Sequence, residues 1–274
     1  HRLSSAASDV YKRQILKEIY KYKIEFVEQK KKLLNLNDVI KLSEQYVPKG
    51  FIDDIKKNIK EKDISIIGEL KKASPSAGII FNNKADYLNI ANAYEDNGIS
   101  CLSILTDEKY FKGFDSDLTE IRARVSLPII RKDFIVDSYQ LHESKMLGAD
   151  CILIILSMLE KNNAKDLEEE AISIGLDVLI ETHNSTEMDI ALEMKSDLIG
   201  INNRDLNDFS VDINNSISLT SKPADGKIYV CESGIKTREN IDYIKNNSPI
   251  RTFLIGESLM RSNNLKEQIR TLLI

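Results

Sequence analysis

The hydrophobic residues of this chain follow two different rhythms. From Ile15 to Tyr46, apolar residues recur every three or four positions among many lysines and glutamates, which is the pattern of an amphipathic helix. A second short helical pattern, FIDDIKKNIK, follows Gly50. From Ile64 onward, short apolar runs alternate with longer, charge-rich segments of helical periodicity, as expected of strands joined by crossover helices.

Eight apolar runs are found, in the order ISIIGE, SCLSIL, LPIIRK, DCILIIL, DVLIE, DLIGIN, KIYVCE and RTFLIG. The segments between and after them predict helices at 87–97, 115–124, 138–147, 162–174, 186–194, 214–219, 238–246 and 265–273. Strands that are apolar on both faces are typical of parallel sheets buried on both sides. Eight such units fit the α/β class and a (β/α)8 TIM barrel, whose usual size is about 250 residues.

We therefore predict a single domain in which an N-terminal helical extension, residues 15–60, precedes a barrel over 61–274. An open, doubly wound sheet is the alternative fold. Its signature, G-x-G-x-x-G after the first strand, is absent from the sequence.

The first 14 residues are interpreted separately. The chain has no initiator Met, and SSAASDVYKRQ resembles the in-frame translation of a sequencing adaptor. We predict that residues 1–14 are non-native, exclude them from the fold prediction, and place the natural start near Ile15.

Composition narrows the possible partners. The chain is 42% hydrophobic and 30% charged with a net charge of −5, so it offers no basic field for nucleic acid. Its longest apolar stretch, CILIILSML, is far shorter than the ~20 residues that cross a bilayer. We predict a cytoplasmic protein without nucleic-acid or membrane partners. Cys101, Cys151 and Cys231 are widely spaced beside apolar runs, which predicts buried thiols rather than a disulfide or metal site.

Polar residues close several of the apolar runs. They are Glu69 and Lys71 after the first run, Arg131, Lys132 and Asp133 after the third, Glu181 after the fifth, Asn202 and Arg204 after the sixth, Glu232 and Ser233 after the seventh, and Gly256 and Glu257 after the eighth. The C-terminal ends of barrel strands share one rim, where active sites form. A single charge of this kind is ordinarily a solvated loop residue, but the convergence of these strand ends indicates a site with proton donors and acceptors.

Alternation along a strand refines this prediction. Residues two apart lie on the same side of a barrel wall, so Glu69 and Lys71 should share the inward face. The same parity pairs Asn202 with Arg204. Leu70 should point outward to the helices.

The last two runs end in glycine-containing turns, ESGI and LIGES. Loops after the seventh and eighth barrel strands commonly bind phosphate together with a helix N-terminus. We predict a phosphate site from Ser233, Gly234, Gly256 and Glu257, with the Glu257 side chain turned away from the anion. An ordinary glycine turn is the alternative interpretation.

Two histidines follow the excluded segment. His142 falls in a helical pattern, and we interpret it as structural. His183 lies two residues after Glu181 and is within reach of the rim, but we interpret it as a loop or core residue.

Seven stretches, in order along the chain, carry a resemblance to one enzyme family. They are IIGELKKASPSAGII, LSILTDEKYFKG, LPIIRKDFIVDSYQLHESKMLGADCILII, LIETH, IGINNRDLNDF, CESGI and FLIGESLMR. Over about residues 15 to 274 the chain resembles indole-3-glycerol phosphate synthases of tryptophan biosynthesis. The resemblance implies a TIM barrel whose N-terminal helices cover the mouth. It also implies conversion of 1-(2-carboxyphenylamino)-1-deoxyribulose 5-phosphate to indole-3-glycerol phosphate, CO2 and water, without cofactor or metal.

The resemblance also implies residue roles. The predicted catalytic residues are Lys132, Glu181, Lys71, Glu69 and Asn202, and the predicted substrate-binding residues are Ser74, Phe134, Arg204 and Leu254. We predict Lys132 as the general acid of ring closure and Glu181 as the base of dehydration. Lys71 would hold an acidic group and protonate the departing hydroxyl.

Three alternatives remain open on the sequence alone. They are a Schiff-base lyase on the same barrel, a phosphoribosylanthranilate isomerase, and a barrel that binds a phosphorylated ligand without catalysis. The pairing of ELKKASPS with RKDF disfavours the isomerase, which lacks it. We expect a phosphorylated small molecule as the partner and a monomeric chain.

Overall fold

Eight parallel strands close into a barrel. This structure, a computed structural model, describes residues 5–74, 78–80, 84–205 and 209–274, with side chains from Leu16 in the first helix and from Tyr87 in the fourth. The strands of the described residues are β1 (Ser65–Leu70), β2 (Ala73–Ser74), β3 (Gly78–Ile79), β4 (Cys101–Leu105), β5 (Ile129–Lys132), β6 (Cys151–Ile155), β7 (Asp177–Thr182), β8 (Leu198–Asn202), β9 (Ile228–Glu232) and β10 (Thr252–Ile255). They pair in the order β1-β10-β9-β8-β7-β6-β5-β4, and β4 pairs with β1, which confirms the closed TIM barrel over the open sheet.

Helices precede the barrel and follow its strands. Within the described residues they are α1 (Ser5–Leu33), α2 (Leu36–Ser43), α3 (Phe51–Lys62), α4 (Lys84–Asp96), α5 (Glu108–Phe111), α6 (Asp115–Arg122), α7 (Tyr139–Met146), α8 (Lys161–Ser173), α9 (Ser185–Leu192), α10 (Asn214–Leu219), α11 (Arg238–Asn247), α12 (Glu257–Met260) and α13 (Leu265–Leu273). All eight helices predicted around the strands are present. Helix α1 begins inside the segment predicted to be non-native, of which residues 1–4 lie outside the described part.

Three local features differ from the sequence prediction. The amphipathic stripe over 15–46 is two helices rather than one, because the side chain of Asn35 caps α2 by accepting from the Asp38 N–H at 3.1 Å. A short helix, α5, is capped by Asp107, whose carboxylate accepts from the Tyr110 N–H at 2.7 Å. The hairpin of β2 and β3 lies within the loop after β1, where no apolar alternation marks a strand.

Helix α3 seals the N-terminal end of the barrel. Phe51 and Ile55 are fully buried in the cluster that fills the barrel interior. The carboxylate of Asp177, at the start of β7, accepts from the Ile52 N–H at 2.9 Å. Because this end is filled with side chains, any large cavity must lie at the opposite end of the strands.

Helix α1 is attached to that opposite end by a buried lysine. Lys23 is 1% exposed, and its Nζ lies 2.8 Å from Asp107 and 2.6 Å from Asp133. Burial lowers the pKa of Lys23, but the two carboxylates outweigh it and hold the pKa above its usual value. Two further lysines of α1 make ion pairs to the same side of the barrel, Lys30 with Asp115 and Glu143, and Lys31 with Asp137.

The cysteine prediction is confirmed. Cys101, Cys151 and Cys231 are all buried free thiols. Cys101 and Cys151 belong to the cluster inside the barrel, and Cys231 packs on its outer face.

A separate finding concerns membranes. Among the described residues, no helix combines the length and the apolar character that a bilayer crossing requires.

We expect Lys23→Ala to lower the free energy of unfolding by about 3 to 5 kcal/mol, because Asp107 and Asp133 would remain buried without their shared cation. Urea unfolding measures this. Lys21→Ala is the matched control, since Lys21 is exposed on the same helix and its loss should change stability by less than about 0.5 kcal/mol. Equal effects of the two changes would contradict the assignment of Lys23 as the attachment.

Candidate active site

A cavity of about 1110 Å³ opens at the C-terminal ends of the strands. All thirteen residues predicted as catalytic, substrate-binding or phosphate-binding line it: Glu69, Lys71, Ser74, Lys132, Phe134, Glu181, Asn202, Arg204, Ser233, Gly234, Leu254, Gly256 and Glu257. The structure thus brings together groups that lie up to 188 positions apart, as from Glu69 to Glu257. Leu16 and Ile19 of α1 also line the cavity, so the N-terminal helix covers part of its mouth.

Strand alternation explains this convergence. In four strands an inward apolar residue is followed two positions later by an inward charge, namely Ile67 and Glu69, Ile130 and Lys132, Leu179 and Glu181, and Val230 and Glu232. The apolar member fills the barrel and the charged member lies at its rim. Arg131, between two inward positions, points outward and donates to Glu143 at 2.8 Å. A run that ends in a charge therefore contributes to the site only where parity turns that charge inward.

Lys132 is the centre of the charged groups. Its Nζ donates a hydrogen bond to Glu232 and lies 3.5 Å from Oε2 of Glu181. All three side chains are nearly buried, with at most 13% of their surface exposed. Glu232 was named at the end of its strand but not predicted as a site residue, because the resemblance drew attention to Ser233 beside it. The inward parity with Val230 was the available signal.

Burial and neighbouring charges shift the pKa values of Glu232 and Lys132. Burial raises the pKa of Glu232 to about 7, with Glu181 and Glu69 adding to the effect and Lys132 opposing it. Burial lowers the pKa of Lys132, but the carboxylates of Glu232, Glu181 and Glu69 outweigh it, so the pKa of Lys132 is raised. Oε1 of Glu232 has no hydrogen-bond partner among the described residues. Near neutral pH, Glu232 is therefore the carboxyl that retains a proton most easily, while Lys132 stays charged.

A second lysine and acid lie beside this group. Lys71 donates to Oε1 of Glu69 at 2.6 Å, which confirms that the two share the inward face. Burial raises the pKa of Glu69, but Lys71 and Lys132 outweigh it and hold the pKa below its usual value. Gly256 makes room for this acid, since a Cβ there would come within 2.6 Å of Oε1 of Glu69.

Asn202 connects the acid–base groups to the loop predicted to bind phosphate. Its Nδ2 donates to Oε1 of Glu181 at 3.3 Å, and its Oδ1 accepts from the Ser233 hydroxyl at 2.9 Å. It also accepts from the N–H of Arg204 at 3.1 Å. The hydroxyl that we predicted as a phosphate donor is therefore directed at Asn202 in this structure.

The loop after β9 has an unusual backbone. Ser233 and Gly234 have φ values of +65° and +92°, in the left-handed region that costs a non-glycine residue about 1 to 2 kcal/mol. A Cβ at position 234 would come within 2.7 Å of Ile213. Position 234 thus requires glycine, and the loop passes close to the cavity. The carboxylate of Glu257 pairs with Nε of Arg261 at 3.1 Å.

One wall of the cavity is aromatic. The ring of Phe134 lies 6.0 Å from Tyr110 in an edge-to-face arrangement and 6.1 Å from Phe111. The rings follow β4 and β5, and all three line the cavity. This wall offers a planar ligand apolar contacts of the kind aromatic pairs prefer.

Several lining residues were not predicted. The polar residues of the lining that were not predicted as catalytic or binding residues are Asp107, Tyr110, Asp133, Asp212, Glu232, Lys236, Asn240, Ser258 and Arg261. Most lie in loops, where no periodicity fixes the direction of a side chain. The motif stretches at 75–77 and 206–208 lie outside the described residues.

The two histidines have different surroundings. His142 is nearly buried outside the cavity, with Nε2 at 3.3 Å from Glu170, in line with a structural role. His183 is also nearly buried, but its Nε2 lies 3.3 Å from Oε1 of Glu181. It is therefore in contact with a predicted catalytic residue.

Fold and site together define a class of proteins, the (β/α)8-barrel enzymes with acid–base groups at the C-terminal strand ends. Solved structures support the fold alone. A chain of the tryptophan synthase α2β2 complex from Pyrococcus furiosus superposes with a TM-score of 0.56 at 17% identity, covering 76% of this chain and 97% of that chain. The N-acetylmannosamine-6-phosphate 2-epimerase from Clostridium perfringens does so with a TM-score of 0.57 at 14% identity, covering 76% and 93%.

Sequence comparison gives the family. The family profile of indole-3-glycerol phosphate synthase matches residues 16–272. Relatives of that name are 42% identical over 260 residues in Zymomonas mobilis subsp. pomaceae, covering 94% of this chain and 98% of the relative, and 43% identical over 247 residues in Thermoanaerobacter pseudethanolicus, covering 90% and 92%. This chain belongs to the indole-3-glycerol phosphate synthase family. The predicted function, a carboxy-lyase of tryptophan biosynthesis, is confirmed over the isomerase and the non-catalytic barrel.

The raised pKa of Glu232 predicts a pH-dependent stability difference. A carboxyl whose pKa is raised from 4.5 to about 7 stabilises the folded state below pH 4.5, and this contribution is lost as the pH rises through about 7. Glu232→Gln lacks this ionisation and does not lose that contribution. From pH 5 to pH 8, its free energy of unfolding relative to that of the wild type should therefore increase by on the order of 3 kcal/mol. Denaturant unfolding at both pH values measures the difference. Parallel pH curves for the two proteins would contradict the assignment.

Proposed function

We propose that the cavity catalyses the indole-3-glycerol phosphate synthase reaction with Lys132 as the general acid of ring closure. The observation that supports this most directly is the buried ammonium of Lys132, which faces Glu232 and lies 3.5 Å from Glu181 at the rim of the cavity. A ligand that enters from the mouth meets this ammonium group, which is a hydrogen-bond donor held in place by Glu232.

Ring closure forms a carbon–carbon bond between the carboxylate-bearing ring carbon of the substrate and its ketone carbon. Negative charge develops on the ketone oxygen, and Lys132 supplies a proton to it. Glu232, which holds Lys132, is positioned to return a proton to that amine because its pKa is raised by burial to about 7. The bond to the carboxylate then breaks, CO2 leaves, and the electron pair restores the aromatic ring.

Dehydration needs a second acid and a base. Lys71, paired with Glu69, protonates the departing hydroxyl so that it leaves as water. Glu181 removes a proton from the new five-membered ring, which completes the indole. Asn202 holds Glu181 in place through its amide, at 3.3 Å. In this assignment the acid follows β1 and the base lies on β7, so the two groups act from different parts of the rim.

Two parts of the cavity orient the substrate. The terminal phosphate lies against Ser233 and Gly234, with the backbone N–H groups at Gly256 and Glu257 as further donors. The pairing of the Glu257 carboxylate with Arg261 keeps its negative charge engaged away from the phosphate. The anthranilate ring lies against the aromatic wall at Phe134, near Leu254 and Ser74. Lys71 also holds an acidic group of the substrate, and Arg204 is a further substrate-binding residue.

We also retain the predictions about the protein as a whole. We propose a cytoplasmic monomer whose partner is the phosphorylated small-molecule substrate, with no nucleic-acid partner. The net charge of −5 supports the last point. Sedimentation of the purified chain tests the monomeric state.

Lys132→Ala should reduce kcat by about 10²- to 10⁴-fold, the range of one general acid, while the circular dichroism spectrum stays that of the folded barrel. Turnover of 1-(2-carboxyphenylamino)-1-deoxyribulose 5-phosphate is followed by the fluorescence of the indole product. Lys161→Ala is the matched control, because Lys161 is paired to Glu193 on the surface. Near-normal turnover by Lys132→Ala would remove the assignment, and lack of turnover by the wild type would remove the proposed function.

Ser233→Asp should raise KM for the same substrate by about tenfold or more, because a carboxylate at this loop repels the phosphate. Steady-state kinetics separates this effect from kcat. Ser116→Asp introduces the same charge at an exposed position and should leave KM unchanged. An unchanged KM in Ser233→Asp would place the phosphate elsewhere.

A further inference from the structure

His183 lies between two carboxylates. Its Nε2 is 3.3 Å from Oε1 of Glu181, and its Nδ1 is 3.2 Å from Oε2 of Glu187. The imidazole is 5% exposed. We interpreted it from the sequence as a loop or core residue, and the mechanism above does not use it.

Glu187 is held in a fixed position by the start of α9. Its Oε2 accepts from the backbone N–H of His183 at 2.7 Å, and its Oε1 accepts from the amide of Asn184 at 2.7 Å. Its own backbone N–H donates to the Asn184 side chain at 3.0 Å. These reciprocal contacts form a helix cap. The carboxylate of Glu187 is therefore a fixed acceptor beside the imidazole, near the helix N-terminus that favours its negative charge.

The two contacts of the ring need one more proton than a neutral imidazole carries. A neutral imidazole has one N–H and one lone pair, whereas both ring nitrogens of an imidazolium donate. If Nδ1 donates to Glu187, a neutral ring presents the lone pair of Nε2 to Oε1 of Glu181. At 3.3 Å this contact is an ion-pair distance rather than an aligned hydrogen bond, and it is attractive when the ring carries a positive charge.

The surroundings decide which side holds this proton. A free imidazole binds a proton more tightly than a free carboxylate, with pKa values of about 6.5 and 4.3. The carboxylate of Glu181 also faces the ammonium group of Lys132 at 3.5 Å and the amide of Asn202 at 3.3 Å. Burial favours a neutral pair, but the negative charge of Glu187 on the far side of the ring favours the imidazolium.

We propose that His183 is a positioning residue that, as an imidazolium between Glu181 and Glu187, keeps the Glu181 carboxylate ionised and correctly oriented. Lys132 on β5 lies 3.5 Å from this carboxylate, and Glu232 on β9 is a second carboxyl group beside the same lysine. The two acids at Lys132 then have different roles, since Glu181 is free to accept a proton and Glu232 retains one. The base role of Glu181 rests on the proposed function, whereas the charge of the ring can be measured in the free protein.

Nitrogen-15 NMR of the imidazoles tests the charge without any turnover. The chain has three histidines, so spectra of His142→Gln and His183→Gln assign their signals. We expect the His183 ring to be half protonated at a pH at least one unit above about 6.5. Half protonation at or below about 6.5 would overturn the proposal, whatever the enzyme does.

The pH profile of kcat/KM tests the effect on Glu181, because its acidic limb reports the base of the free enzyme. In His183→Gln, which keeps a hydrogen-bonding side chain but no charge, the acidic limb should move to higher pH by about one to three units. KM above pH 8 should change by less than about twofold, because the phosphate and ring contacts are intact. His142→Gln is the matched control, since His142 also faces a glutamate, Glu170, but outside the cavity, and its profile should match the wild type.

A second variant covers the possibility that His183→Gln does not fold. Glu187→Gln removes one of the two carboxylates at the ring and should move the acidic limb in the same direction by a smaller amount. A folded His183→Gln with an unmoved acidic limb, or with an equal loss at every pH, would overturn the proposal. If the wild type does not turn over the substrate, the proposed function fails and the NMR titration still decides the state of the ring.

Discussion

Three buried carboxyl groups share two ammonium groups at the mouth of this barrel, and most features of the site depend on that imbalance. Glu69, Glu181 and Glu232 lie within reach of Lys71 and Lys132. An ionised carboxylate without a partner is costly in a site that excludes water. Glu232 is the carboxyl that retains a proton most easily, because burial raises its pKa to about 7 and Glu181 and Glu69 add to the effect. A site of this kind holds both a charged lysine and a proton reservoir at neutral pH, which the acid and base steps of the reaction require.

The strands around this group are adapted to it. Gly200 on β8 leaves the space that Oε1 of Glu232 occupies, since a Cβ there would come within 2.1 Å of that atom. Gly256 does the same for Glu69. These glycines are not needed for turns, because neither has a positive φ. The charge imbalance thus reaches into the sequence of neighbouring strands, where small residues replace the bulky ones that usually fill a barrel.

The fold could be predicted from periodicity, and much of the site from strand parity. Each inward apolar residue fixes the direction of the charge two positions later, as Ile67 does for Glu69. Glu232 was missed although Val230 gave the same signal, because the neighbouring serine matched the family motif. Lys23 was missed although its four-residue spacing from Ile19 and Val27 places it in the apolar stripe of the helix, which is the signal of a buried position. Its partners Asp107 and Asp133 come from distant loops, and no local pattern pairs them with a helix.

The attachment of the N-terminal helix and the acid–base group are parts of one arrangement. Asp133, which binds Lys23, directly follows Lys132, and Asp107 follows the strand next to it. The ion pairs that hold α1 therefore also hold the backbone from which Lys132 projects. They bring Leu16 and Ile19 over the cavity. In the proposed reaction, this apolar cover would limit water around the substrate carboxylate, and loss of that charge as CO2 is favoured when water does not stabilise it. The extension is thus coupled to the site through the two aspartates, because the same contacts that cover part of the mouth hold the backbone of Lys132, the proposed general acid.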